Sequence, residues 1–223
     1  ANRVSYGATT RLFDSENTER LRFTLGQSYD LVAPQVTLLP NDTKQTNSRS
    51  LLSLRADAHP TDDWYTHTGV EYNTQTKKVS SGNGAVEYQQ QKYTTQLNYR
   101  FVSKENYVVD TASDDRRDIS QAGAVLKLPI NRDWQLIGAH YRDTQTGKNI
   151  DNLLGARYDS CCWAVNFTFE RHNAPDNTTL TAKPETSYGL QFEFKGLGSV
   201  GNGPKYNLNT RLLPYSRPFN LND

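Results

Sequence analysis

The 223-residue sequence has no methionine, only two cysteines, and nowhere the roughly 18 to 20 consecutive apolar residues that a spanning helix needs. A helical membrane protein is therefore excluded. No charge of one sign dominates, since 25 Lys and Arg balance 24 Asp and Glu to a net +1, and no nucleic-acid partner is expected. No segment has helical periodicity, and there is no nucleophile elbow, Gly-rich phosphate loop or H-E-x-x-H pair. Catalytic residues and a cofactor are thus not expected. His59, His67, His140 and His172 are scattered along the chain, so a metal site is not expected either. Ala1 is not an initiator and no signal-peptide hydrophobic region follows it, which reads as a processed chain or an excised piece.

What is abundant is aromatic: 13 Tyr, 8 Phe and 3 Trp, residue types that suit a pleated surface. Strict alternation begins at Arg3 to Phe13, where Val4, Tyr6, Ala8, Thr10 and Leu12 share one face. It recurs in Leu21/Phe23/Leu25, Leu52/Leu54/Ala56/Ala58, Tyr93/Thr95/Leu97/Tyr99/Phe101, Ala122/Ala124/Leu126/Leu128, Trp163/Val165/Phe167/Phe169 and Tyr188/Leu190/Phe192/Phe194. None of these sets contains a charge. Weaker strands are read at residues 64–73, 79–89, 134–144 and 152–158, giving about eleven. The expected fold is all-β: an antiparallel meander of about eleven strands with one uncharged face per strand.

Alternation alone fits a soluble sandwich as well as a transmembrane barrel. The connections separate the two. Links at residues 14–19, 60–63, 90–92, 129–133 and 159–162 are short, and between them come the long polar links 30–49, 103–118 and 172–186. That segregation of short and long connections to opposite ends is the pattern of outer-membrane barrels, with short turns on the periplasmic side. Trp64, Trp134 and Trp163 each follow a short turn and are expected to form one aromatic girdle. Tyr29, Tyr72, Phe101, Tyr141 and Phe169 are expected near the opposite interface. An odd strand count leaves the two termini on opposite sides, as expected of part of a barrel and not of a complete one.

The least usual dipeptide is Cys161-Cys162. Neighbouring strand residues point to opposite faces and a vicinal disulfide needs distorted peptide geometry, so a bond between the two is not expected. If oxidised, both reach outside this chain; two buried free thiols are the alternative. Arg3, Arg11, Arg20 and Arg22 would point inward from neighbouring strands, either to meet anionic groups or to line a watery lumen. A serine with His67 or His140 would make an outer-membrane hydrolase, an adhesin barrel is a further alternative, and a carbohydrate-binding sandwich a third. The strand from Ser187 to Phe194, with Gly189, Phe192 and Phe194 after its polar first residue, resembles the terminal-strand signal that the β-barrel assembly machinery recognises.

The run Leu154-Gly155-Ala156-Arg157-Tyr158-Asp159-Ser160-Cys161-Cys162-Trp163-Ala164-Val165 carries a wider resemblance. Together with Ala1-Asn2-Arg3-Val4, Gln96-Leu97-Asn98-Tyr99-Arg100 and Arg211-Leu212-Leu213-Pro214-Tyr215, it resembles the C-terminal barrel portion of the LptD family of lipopolysaccharide-assembly proteins. The likeness covers essentially the whole chain, and its most specific element is Ser-Cys-Cys before an aromatic residue. The resemblance implies a cell outer membrane translocon that passes lipopolysaccharide to the outer leaflet, with a lipoprotein plug, LptE, inside the barrel and folding by the assembly machinery. It also implies that Cys161 and Cys162 bond to two cysteines of an N-terminal periplasmic region, whereas this sequence holds no further cysteine. The expected division is barrel over residues 1–197 and a C-terminal periplasmic tail over 198–223.

Overall fold

The computed structural model describes residues 2–32, 49–91, 93–106, 117–175 and 182–202. They form one antiparallel sheet of twelve strands in chain order, each paired with its sequence neighbours. The strands are β1 Arg3–Phe13, β2 Glu19–Asp30, β3 Leu52–Thr61, β4 Trp64–Asn73, β5 Lys78–Gln90 and β6 Tyr93–Val102. They continue as β7 Ile119–Pro129, β8 Trp134–Asp143, β9 Asn149–Asp159, β10 Trp163–Pro175, β11 Ala182–Phe194 and β12 Gly198–Asn202. One short 3-10 turn at Lys104–Asn106 is the sole helical element among the described residues. The expected meander is present, one strand longer than the sequence indicated.

The twelfth strand is Gly198-Ser199-Val200-Gly201-Asn202, paired with Leu190–Phe194 of β11. It eludes a pattern search because Val200 is its only apolar side chain and two of its five residues are glycines. Gly201 has φ +146°, and a Cβ there would stand 2.2 Å from the carbonyl oxygen of Leu190, so only glycine lets the strand lie this close. Twelve strands remove the odd-count argument. The sheet also runs through the start of the segment read as a tail; residues 203–223 of that segment lie outside the described residues.

Short side chains shape the turns. The carboxylate of Asp14 accepts the backbone N–H of Glu16 and Thr18, and the Asn131 side-chain oxygen accepts those of Asp133 and Trp134. At the other end Asn73 serves Gln75 and Thr76, and Asp143 serves Gln145 and Thr146. These Asx turns offer the chain a local alternative to the sheet ladder, and so reverse it.

Burial in this sheet is inverted relative to a protein that folds in water. On the concave face Gln96 is fully buried, as nearly are Glu87, Asn166 and Thr168. On the convex face Leu97, Leu154, Phe167 and Tyr188 are 60%, 61%, 52% and 67% exposed. A large apolar side chain left in water forgoes about 1.5 to 3 kcal/mol, so a continuous convex face of them needs another apolar medium against it.

One patch of the concave face is apolar. Val125, Ile137 and Ala139 are buried side by side on β7 and β8, with Tyr141 and Leu153 packed against them. Tyr141 therefore faces inward and does not join an outward girdle: in β8 the outward residues are Trp134, Leu136 and His140, and the odd-numbered ones turn in. The Tyr141 ring covers Gly123, its cross-strand partner, where a Cβ would meet ring carbons at 2.4 Å.

Candidate functional site

The short turns gather at one end of the sheet, and the cysteine pair lies there, between β9 and β10. Both thiols are free and exposed, which excludes the buried alternative, and their sulfurs are 2.8 Å apart. The Cys161 thiol is held below its ordinary value, first by the hydrogen bond with Cys162 and then by Ser160. The same contact pushes the Cys162 thiol up.

A residue that the pattern search passed over organises this turn. Lys195, the first residue after β11, donates its backbone N–H to the Cys162 carbonyl at 3.0 Å. Its ammonium reaches the Ser160 carbonyl and the Asp159 carboxylate. Arg157 adds a second tie, bonding Asp159 at 3.1 Å and Glu193 of β11 at 2.8 Å. The cysteine turn is thus fixed to the β11 hairpin by charge as well as by the ladder. Only the β10–β11 register, in which Trp163 opposes Phe194, brings Lys195 beside it.

Trp64, Trp134 and Trp163 all occupy first positions of strands at this end and are 45%, 45% and 41% exposed on the convex face. Tyr158 bridges Trp134 and Trp163 with ring centroids 5.2 Å from each, and Trp64 stands 5.0 Å from Tyr88. Ser187, Gly189, Phe192 and Phe194 all lie on β11, with Phe192 and Phe194 on the convex face and both opposed by β12.

The inward arginines are paired. Arg3 meets Asp30 at 2.6 Å, Arg11 and Arg22 share Glu19 at 3.7 and 2.8 Å, and Arg20 joins Asp14 and Asp62 at 2.7 and 2.9 Å. Their charge is thereby committed within the wall. The two candidate catalytic histidines do not meet. His67 Nδ1 contacts Asp57 Oδ1 at 2.7 Å on the concave face, while His140 Nδ1 contacts Asn152 Oδ1 at 2.6 Å on the convex face. Among the described residues no group of His, Cys, Asp and Glu is placed to hold a metal ion.

A family model described as "LptD: LPS transport system D" matches residues 1–134. The chain belongs to the LptD family. Its relatives include the LPS-assembly protein LptD of Aeromonas salmonicida strain A449, 46% identical over the whole chain and 28% of the relative's length. The LptD of Aeromonas hydrophila is 44% identical over the same shares, and that of Escherichia coli K12 is 33% identical over 96% of the chain and 29% of the relative. The chain thus spans less than a third of the length of these LptD relatives, matching a C-terminal part of LptD. Neither the hydrolase nor the adhesin reading finds support among them.

Proposed function

We propose that this chain is outer-membrane barrel wall in a lipopolysaccharide translocon, and that its work is transport and not catalysis. The observation that carries the reading is the inverted burial of a sheet belonging to the LptD family. An apolar convex face suits lipid tails, and a polar concave face suits a watery lumen. Membership of a family whose relatives are named as LPS-assembly proteins supplies the cargo. The three tryptophans would anchor the short-turn end at the periplasmic interface, where amphipathic rings settle.

In the same reading LptE lies against the concave face, and Cys161 and Cys162 form long-range disulfides to a periplasmic region, as the oxidising compartment permits. The sheet does not close among the described residues, for β1 pairs only with β2 and β12 only with β11. Open edges leave backbone groups unsatisfied in hydrocarbon at several kcal/mol each, so further strands must cover them. During folding the β-barrel assembly machinery would cover one of them, with Ser187, Gly189, Phe192 and Phe194 as the signal it reads on β11, where Ser187 and Gly189 lie outside the stretch that β12 pairs.

The test uses the full-length protein in cells, with a photo-crosslinking residue placed in turn at Thr9, Thr24 and Asn98 on the concave face and at Leu97 and Leu154 on the convex face. Lipopolysaccharide in transit should be captured from concave positions and depend on the energy supply. Capture from none of the concave positions would refute the translocon reading.

A further inference from the structure

The convex face of β8 to β11 changes character along one straight line. Gly138, Leu154, Phe169 and Tyr188 are successive cross-strand partners and form an apolar row, closed by the Phe169–Tyr188 ring contact at 5.3 Å. Immediately beyond it, toward the long loops, His140, Asn152, Arg171 and Thr186 are likewise successive partners and form a polar row. Such a boundary marks the level at which acyl chains give way to headgroups.

A groove of about 520 Å³ opens at this boundary, with Phe169 on its membrane side, Asn173 and its cross-strand partner Pro184 on its loop side, and Lys148, Asn152 and Arg171 around it. No carboxylate is among its lining residues. Arg171 and Lys148 form no ion pair among the described residues, a state they share with Arg100, Arg132 and Arg142 and that sets them apart from Arg3, Arg11, Arg20, Arg22, Arg55 and Arg157, each of which meets a carboxylate. Glu185, the nearest acid on β11, turns to the other face and sits 3.5 Å from His172. The neighbouring polar groups hold one another in place: Asn152 accepts from His140, and the Asn173 amide bonds the carbonyl of Asn149.

We propose that this groove binds the phosphorylated headgroup of an anionic lipid in the surrounding leaflet, with Arg171 and Lys148 on the phosphate and Leu154, Phe169 and Tyr188 beneath the acyl chains. A guanidinium fork matches two phosphate oxygens and an ammonium supplies a point charge, while amide N–H groups complete the cradle. The apolar row directly below requires that the phosphate carry acyl chains, and this sets a lipid apart from free phosphate. The site lies on the outward face, away from the concave route of transport. It rests on the membrane placement argued above.

The test takes the full-length protein in detergent and measures binding of a bisphosphorylated glucosamine-disaccharide lipid by native mass spectrometry. Its dephosphorylated form is the comparison and inorganic phosphate the competitor. Replacing Arg171→Gln and Lys148→Gln together should weaken binding about tenfold or more, a loss of the size expected for charge-assisted contacts. Arg171→Lys should retain only part of the affinity, because it keeps the charge and loses the fork, and the dephosphorylated lipid should bind the unaltered protein as weakly as the intact lipid binds the double variant. Lys148→Glu alone, in a turn outside the strands, should give the same direction if Arg171→Gln folds poorly. Unchanged binding in these variants, equal binding of the dephosphorylated lipid, or displacement by equimolar inorganic phosphate would each overturn the proposal. Heat-modifiable migration and bilayer insertion are scored on the same samples: failure to insert would sink the membrane placement, and normal insertion with unaltered lipid binding would sink the lipid site alone.

Discussion

Lys195 and Cys162 share a backbone hydrogen bond of 3.0 Å across the junction of two hairpins, and the lysine ammonium lies against the turn that carries both thiols. The presentation of the thiols therefore depends on the docking of β11. In the reduced protein at neutral pH, Cys161 should be alkylated faster than Cys162, because its thiol is the one held low. Lys195→Gln should slow Cys161 and move its pH profile upward, and Lys195→Arg should restore it. Equal rates for the two thiols, read by mass spectrometry of partly labelled protein, would contradict the assignment.

Phe167 and Thr168 take opposite faces of β10, the first half exposed and the second buried. Phe167→Arg in the middle of the apolar convex face should cost about 2 to 4 kcal/mol in a bilayer. Unfolding titrations in vesicles check it, and an unchanged midpoint would reverse the facing of the strand.

Gly123→Ala should destabilise the wall by roughly 1 to 3 kcal/mol, since the added carbon would overlap the Tyr141 ring and the Asn98 side-chain oxygen, both at 2.4 Å. Pairing it with Tyr141→Ala should recover part of that loss. Additive effects in the double-mutant cycle would show that the ring and the glycine do not interact.

Asp14 lies in the turn between β1 and β2, and its carboxylate is held below the usual 3.8, first by the Thr18 N–H and also by Arg20. A depressed folded value stabilises the fold above the ordinary carboxylate value, and the effect is lost as pH falls through the folded one. Asp14→Asn should therefore lower the midpoint temperature at pH 7 and converge with the unaltered protein well below pH 3.8. A constant difference across that range would exclude Asp14 as the source.

The strand pattern was legible because an uncharged face needs only local sequence to be seen, and eleven of the twelve strands show it. β12 was hidden because glycine carries no polarity and so no period. Inward Tyr141 was misread because its strand was indexed by an aromatic near its end, whereas Leu136 and the turn-following Trp134 set the parity. The cysteine turn could be seen as unusual, yet nothing local to it names Lys195, more than thirty residues away. That partnership and the polar row through His140, Asn152 and Arg171 exist only once register is known, and register is a relation between strands and not a property of any one of them.

The tryptophan level and that polar row bound the outward apolar face. From Trp163 to Arg171 β10 advances eight residues, which at about 3.4 Å each and a tilt of about 40° amounts to roughly 21 Å of height, against about 25 Å for a usual barrel belt. In the membrane placement proposed above, a bilayer meeting this wall would thin by a few ångströms, at a fraction of a kcal/mol for each ångström of mismatch. The adjustment would fall on the lipids, because the height of β8 to β11 is set by their register.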